Sequence, residues 1–516
     1  MKQARYLPAV LSALLLIAGP MPAAVKLASI FGAHMVLQQG VPVPMWGTAA
    51  PGERVTVTLG GQRQTATAGA DGKWMVRLAR LTAGGPFRMT VAGKNKLTLS
   101  DVYAGEVWLG SGQSNMDMTV AREDRYWCGV VNEAEEIASA NYPLIRMFKV
   151  KLKMTDEPQA EAQGQWVVTS PQTVGRFSAT AYFFGRELYR KLKAPIGLID
   201  SSYGGSAAQA WTSRKALEAN PDLTFLLNTY ATAKREFAGN HAAREKFQQE
   251  LANWEPAAAK AKAEGRDAPR RPRDPDPGQD QHNPCVLYNG MIAPLVPYAI
   301  RGAIWYQGES NGPTAKKYLN IMDTLIRDWR QAWGQGDFPF LFVQLASLNT
   351  LALQPQEGGW IPQVREGQLQ TLTVKNTGMA VAIDIGDAAN VHPKNKQDVG
   401  RRLALAARAL VYGESIPYSG PIYESMSVEG GAVRLRFKHA EGGLTAAGGT
   451  PIGFAVAGAD RKFVWGDAKI DADAVVVSSP QVMKPTAVRY GWADNPPVNL
   501  YNKAGLPASP FRTDNW

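Results

Sequence analysis

The sequence predicts an α/β protein whose centre is a doubly wound parallel sheet, extended at both ends by all-β modules. Three patterns carry this reading. Between about residues 105 and 415, short continuous apolar runs alternate with longer amphipathic stretches. Before and after that region, apolar and polar residues alternate with period two between glycine-rich turns. The chain is also long, at 516 residues, which favours two or three cores over one.

The central runs are GEVWLGS (105–111), LIRMFKV (144–150), APIGLID (194–200), RGAIWYQ (301–307), FPFLFVQLAS (338–347) and GMAVAIDIGD (378–387). Each is apolar on both faces, as a strand buried in a parallel sheet must be. Helical periodicity marks ATAYFFGRELYRKLKA (179–194), KYLNIMDTLIRDWRQAWG (317–334), QVREGQLQTLTV (363–374) and KQDVGRRLALAARALV (396–411). Strand–helix alternation of this kind points to helices on both faces of the sheet.

The N-terminal module spans 25–104. ERVTVTLGG, KWMVRLARL and FRMTVAG alternate strictly and are separated by turn dipeptides. A helical insertion and a Pro/Asp/Arg linker occupy about 214–283 of the central region at 105–415. The β pattern returns in a C-terminal module at 416–488. The closing segment, 489–516, is rich in aromatics and proline, has little periodicity, and is expected to pack over the central domain.

Residues 1–24 read as a secretory signal peptide. A short basic start with Lys2 and Arg5 precedes LPAVLSALLLIAG, and PMPAA offers small residues for cleavage. The apolar stretch is too short to span a bilayer. The expectation is a periplasmic or secreted protein, with no membrane association after cleavage. An oxidising compartment permits a bridge between the two cysteines, Cys128 and Cys285, without requiring one.

The formal charge of +11 invites a nucleic-acid reading, which the pattern does not support. Much of the excess lies in KAKAEGRDAPRRPRDPDPG (260–278), among prolines and aspartates and without interleaved aromatics. That stretch reads as a solvated linker. There is no phosphate loop, zinc-protease motif or dinucleotide fingerprint.

Ligands of doubly wound sheets bind beyond the carboxyl ends of the strands. Four such ends carry chemistry. GSGQSNM holds Ser114, with Gln113 beside it. SSYGGSAAQAW holds Gly204 and Gly205. GESNG, after Gln307, holds Glu309 and Asn311. VHPKNKQDVG holds His392. Together they supply an acyl-transfer set: a serine nucleophile, a histidine base, and glycine N–H and amide donors for an oxyanion. Each motif alone has an ordinary structural reading, since a serine in a glycine-rich turn is commonly just a turn residue.

GQSNM, WYQGESN and HPKNKQDVGRRLA resemble the sialate O-acetylesterase family of the SGNH hydrolases. IDSSYGGSAAQAW, LYNGMIAPL, the N-terminal MVLQQGVPVPMWGTAAPGERVTV and the closing RYGWADNPPVNLYNKAGLPASPFRTDNW extend the resemblance over nearly the whole mature chain. It implies an SGNH catalytic domain with β-sandwich, jelly-roll-like modules. It implies removal of O-acetyl groups from carbohydrates without metal or cofactor, the partner being an acetylated oligosaccharide. Carried over by position, Ser114 is the nucleophile and His392 the base. Gly205 and Asn311 form the oxyanion hole, and Gln113, Gly204, Gln307 and Glu309 line the pocket.

One position departs from the family pattern. Where the family commonly has an acid shortly before the histidine, this chain has Asn390. Asp387 is the nearest upstream acid, with Asp384 and Glu309 as further sources of a carboxylate, and a bare serine–histidine pair is the remaining option. The departure also supports a second reading, a carbohydrate-binding protein with a degenerate hydrolase site. If Asn390 replaces a charged partner, the pKa of His392 should lie below that of a Ser-His-Asp site. The acetylated sugar remains open between plant-wall oligosaccharides, such as xylan or xyloglucan, and O-acetylated sialic acids.

Overall fold

The computed structural model describes residues 24–516 except 124, 267 and 441. The signal-peptide expectation lies outside the described residues. Six strands form the parallel core: β1 (Lys96–Gly112), β2 (Tyr142–Lys149), β3 (Ile196–Ser202), β4 (Gly302–Tyr306), β5 (Phe340–Gln344) and β6 (Thr377–Val381). Their order across the sheet is β2-β3-β1-β4-β5-β6, and every neighbouring pair is parallel. A short strand, Trp166–Thr169, closes the outer edge of β2 antiparallel. The chain leaves β1 towards one side for β2 and β3, then crosses to the other side for β4. The end of β1 therefore lies where the winding changes direction, the place such sheets use for ligands.

β1 serves two sheets. Its first half pairs with strands of the N-terminal β module, including Gly84–Ala92 antiparallel and Val36–Gln38 parallel. Its second half, apolar on both faces, is the central strand of the parallel sheet. Residues 96–112 thus run through residue 104 as one continuous element.

The helices named here are α1 (Ser114–Asp117), α2 (Ala179–Leu192), α3 (Tyr318–Trp333), α4 (Trp360–Thr371) and α5 (Lys396–Leu410). Trp108 of β1 packs edge-on against Phe184 of α2. Trp305, the β4 partner of Ser111, packs against Trp329 of α3. Trp108 and Ser111 point to opposite faces of β1, because strand side chains alternate. So α2 and α3 cover opposite faces, as the alternating pattern predicts. α5 lies close against α2, where a Cβ added at Gly400 would meet Phe183 Cβ at 2.5 Å.

The C-terminal module is a two-sheet sandwich. Ile422–Glu429, Ala432–Lys438, Ala474–Ser478 and Asp467–Asp471 form one antiparallel sheet. Phe454–Ala457 pairs with Val464–Trp465 and with Ala487–Tyr490, which pairs in turn with Phe511–Arg512. Val433, Leu435, Phe454, Val456, Tyr490 and Phe511 share one core between the sheets. The closing segment therefore does two things. It adds short strands to this sandwich, and it holds the catalytic domain through Arg512–Glu366 and through Arg365, which donates to the carbonyls of Ala493 and Asp494. Its strands are only two to four residues long, too short to leave an alternating signature. Cys128 and Cys285 are both free and buried.

Candidate active site

Ser114 opens α1 directly after β1, and is 8% exposed. Gly112 makes the turn possible. Its φ is +134, and a Cβ there would lie 2.2 Å from the carbonyl oxygen of Tyr306. Only glycine tolerates both the conformation and the approach. Gln113 then stitches β1 to β4. Its N–H donates to Tyr306 at 3.0 Å, and its Oε1 accepts from the N–H groups of Gly308 and Ser310 at 3.3 and 3.2 Å. As the first helical residue, Ser114 has no intrahelical acceptor for its own N–H.

The Gly204–Gly205 turn follows β3 and faces the serine. A Cβ at Gly204 would lie 3.5 Å from Ser114 Cβ, and Gly205 has φ +69. Among the described residues the N–H groups of Gly204 and Gly205 enter no backbone hydrogen bond. The side chains of Asn311 and Gln307 brace this turn from behind. Asn311 Oδ1 accepts from the N–H of Ala208 at 2.9 Å and from Gln307 Nε2 at 2.7 Å. Asn311 Nδ2 donates to Gln209 Oε1 and Thr314 Oγ1 at 2.9 and 3.0 Å. Gln307 Nε2 also donates to Ser206 O at 3.1 Å, and its Oε1 accepts from the Tyr318 hydroxyl at 3.0 Å. Both amides are fully buried, and both hydrogens of each are committed within the wall.

His392 sits in the loop between β6 and α5. Its ring packs against Trp127, tilted by 33° with centroids 4.8 Å apart, and Arg125 lies on the Trp127 ring at 4.7 Å. Asn390 Oδ1 accepts from the backbone N–H of His392 at 2.9 Å, so that carbonyl closes the turn before the base. Asp387 Oδ1 accepts from the N–H of Ala389 at 2.9 Å. Asp384 forms a two-pronged pair with Arg402 at 2.6 and 2.7 Å. Nε2 of His392 is buried without a hydrogen-bond partner among the described residues. The serine–histidine bond is thus not closed in this geometry, as is common before substrate arrives.

One residue ties these parts together. Asn115 Nδ2 donates to the carbonyl of Val391, next to His392, and to Glu309 Oε1, both at 2.9 Å. Asn115 Oδ1 accepts from the Lys396 ammonium at 2.8 Å, and Lys396 also donates to Pro393 O at 2.6 Å. Lys396 and Asn115 are at most 1% exposed. Burial pushes Lys396 down to about 7, against the attraction of Glu309. Burial raises Glu309 above the usual carboxylate range, partly offset by its own backbone N–H, Asn115 and Lys396. Its Oε2 is buried without a partner among the described residues. His392 is pushed down to about 4, first by burial and then by the charges of Lys396 and Lys394.

The structure brings Ser114, Gly204, Gly205, Glu309 and His392 around one turn, with Gln113, Gln307 and Asn311 as its wall. Lys396 and Trp127 belong to the same assembly and are not evident from the motifs. HPKNKQDVG does contain the lysine, but nothing in its spacing says that it turns inward. Among the described residues no group of His, Cys, Asp and Glu side chains is arranged to hold a metal ion.

Residues 281–409 match the family described as carbohydrate esterase, sialic acid-specific acetylesterase. The sialate O-acetylesterase of Rattus norvegicus is 34% identical over 439 residues, covering 77% of this chain and 76% of its own length. The human sialate O-acetylesterase is 32% identical over 443 residues, covering 78% and 74%. A crystal structure of a carbohydrate acetylesterase from Xanthomonas citri superposes with a TM-score of 0.80 at 37% identity, covering 96% of this chain and all of that one. With relatives of this identity and coverage, the chain belongs to the sialate O-acetylesterase family, carboxylic ester hydrolases that act on O-acetylated carbohydrates.

Proposed function

We propose that this protein removes O-acetyl groups from carbohydrates through an acetyl-enzyme formed on Ser114. The observation that carries the roles is the Asn115 clasp, which fixes the nucleophile turn against the loop of His392. Ser114 Oγ attacks the acetyl carbonyl while His392 Nε2 takes its proton. The tetrahedral oxyanion accepts from the N–H groups of Ser114 and Gly205, donors preorganised by the two turns. His392 returns the proton to the departing sugar oxygen. Water, deprotonated by the same imidazole, then releases acetate.

We assign Asn311 to bracing the glycine turn, because both of its amide hydrogens are spent within the wall. The catalytic set is a serine–histidine pair. The Trp127 contact and the Asn390 turn orient the imidazole, while Asp387 and Asp384 are engaged elsewhere.

The N-terminal sequence supports export to the periplasm or beyond, and no helix among the described residues is long and apolar enough to cross a membrane. Acetylated wall polysaccharides and O-acetylated sialic acids both fit the chemistry. Acetate release from acetylated sugars by the parent and by Ser114→Ala tests the assignment. Loss of release, together with loss of fluorophosphonate labelling, is expected. Equal release by both proteins overturns it.

A further inference from the structure

The segment 149–154, continuing from the end of β2, lines two cavities at the carboxyl end of the sheet. One, of about 810 Å³, is lined by Lys149, Lys151, Gln165, Arg176 and Phe177 among others. The other, of about 560 Å³, is lined by Lys153, Tyr203, Arg270, Arg271 and Gln281 among others. Both volumes fall within the roughly 300–1,000 Å³ range of ligand pockets. Each has a lining residue close to the segments around Ser114. Lys149 binds Asp117 of α1 at 2.8 Å, three residues from Ser114. Tyr203 precedes the Gly204–Gly205 turn, and a Cβ at Gly205 would lie 3.2 Å from Gln281 Nε2.

The lining is one-sided in charge. Among the described residues no carboxylate lines the first cavity, and Asp274 alone lines the second. Some of the cations are already paired: Lys149 with Asp117 and Asp200, Arg176 with Glu123, and Arg273 with Asp280. Lys151, Arg270 and Arg271 have no carboxylate partner among the described residues. Arg271 instead lies 6.0 Å from the Trp254 ring. The linker that reads in sequence as solvated is exposed at Arg270 and Arg271, and there it also lines a cavity with guanidinium groups that have no carboxylate partner among the described residues. Guanidinium forks match carboxylates in two-pronged geometry.

We propose that these cavities are subsites for an anionic oligosaccharide. The unit that loses its acetyl group sits at Ser114. Carboxylate-bearing units of the same chain sit against Lys151 on one side and against Arg270 and Arg271 on the other. This rests on the esterase reading above and adds to it a chain-length and a charge requirement.

The test uses the full chain with four substrates: an acetylated xylo-oligosaccharide bearing uronic acid, its neutral acetylated counterpart, free O-acetyl sialic acid, and 4-nitrophenyl acetate. The parent is expected to favour the acidic oligomer about 10- to 100-fold in kcat/KM, the worth of one or two charge-assisted bonds. The preference should shrink with added salt. In an Arg270→Ala/Arg271→Ala double variant, and separately in Lys151→Ala, kcat/KM on the acidic oligomer should fall about tenfold more than on 4-nitrophenyl acetate. Equal rates on acidic and neutral oligomers overturn the proposal. So do equal rates on the acidic oligomer and free O-acetyl sialic acid, which would place the anion on the acetylated sugar itself. Absence of hydrolysis of every substrate, 4-nitrophenyl acetate included, instead defeats the esterase reading on which the proposal rests.

Discussion

The ammonium of Lys396 lies 2.8 Å from Oδ1 of Asn115, the residue that follows Ser114, across 281 positions of sequence. Through Asn115 it reaches the Val391 carbonyl and Glu309, so one contact holds three strand-end loops together.

Lys396→Met keeps most of the unbranched side chain and removes this hold. A buried acceptor left unmade costs about 1–3 kcal/mol. A shift of about 1 Å in the reacting groups costs on the order of 100-fold in rate. The variant is expected to melt cooperatively at a reduced Tm, with kcat/KM for a neutral acetyl ester down about 10- to 100-fold. Fluorophosphonate labelling of Ser114 should slow in proportion. Unchanged labelling would mean that the clasp does not position the nucleophile.

The pH profile follows from His392. The base must be neutral, and burial together with Lys396 and Lys394 holds its pKa at about 4. Activity is therefore expected to be retained between about pH 6, where Lys396 is charged, and about pH 5, and to fall as pH drops through about 4. The reference value of about 6.5 lies above the folded one. Neutral His392 thus contributes stability in full above about pH 6.5, and the contribution is lost as pH falls towards 4. Measuring kcat/KM for an uncharged ester between pH 3.5 and 8, and urea midpoints at the ends of that range, checks both. A limb well above about 6.5 would place a carboxylate at the imidazole.

Asn390→Asp asks what the family's acid would do here. The new carboxylate can accept the backbone N–H of His392 as the amide does, so the turn should persist. Its charge favours the imidazolium and raises the pKa of His392. The acid limb should move up by a measurable fraction of a pH unit while the plateau rate changes only a few-fold. A profile superimposable on the parent's would mean that this carboxylate does not reach the ring.

The parts of the site that were legible in sequence were local. Ser114, Gly205 and His392 follow continuous apolar runs, and buried parallel strands have no other way to appear. Lys396 and Asn115 were not legible as partners, because a long-range contact between two polar residues leaves no period. Trp127 lies in an irregular loop with the same lack of signature. Asn311 has the residue type of an oxyanion donor, and only the count of its hydrogen-bond partners shows its amide to be spent. Arg270 and Arg271 are exposed, as a charged, proline-rich run predicts, and nothing in that composition says which cavity they border.

Gly112→Ala tests the turn itself. At φ +134, with Tyr306 O at 2.2 Å from the added methyl group, alanine must push β4 away from β1 or twist the turn out of shape. Either response moves Gln113 and Ser114, because Gln113 is bonded to the same Tyr306 carbonyl. Gly430 is the control, with φ +64 and nothing within 4 Å of its added Cβ. There the cost is confined to backbone preference, about 1–2 kcal/mol, in a hairpin of the C-terminal sandwich. Gly430→Ala is expected to lower Tm by a few degrees and leave kcat/KM unchanged. Gly112→Ala should lose about 3 kcal/mol, at the upper end of the usual overpacking range, and lose labelling of Ser114 even where it remains folded. Parent-like labelling of Gly112→Ala would show that the nucleophile's position does not depend on the close approach of β1 and β4.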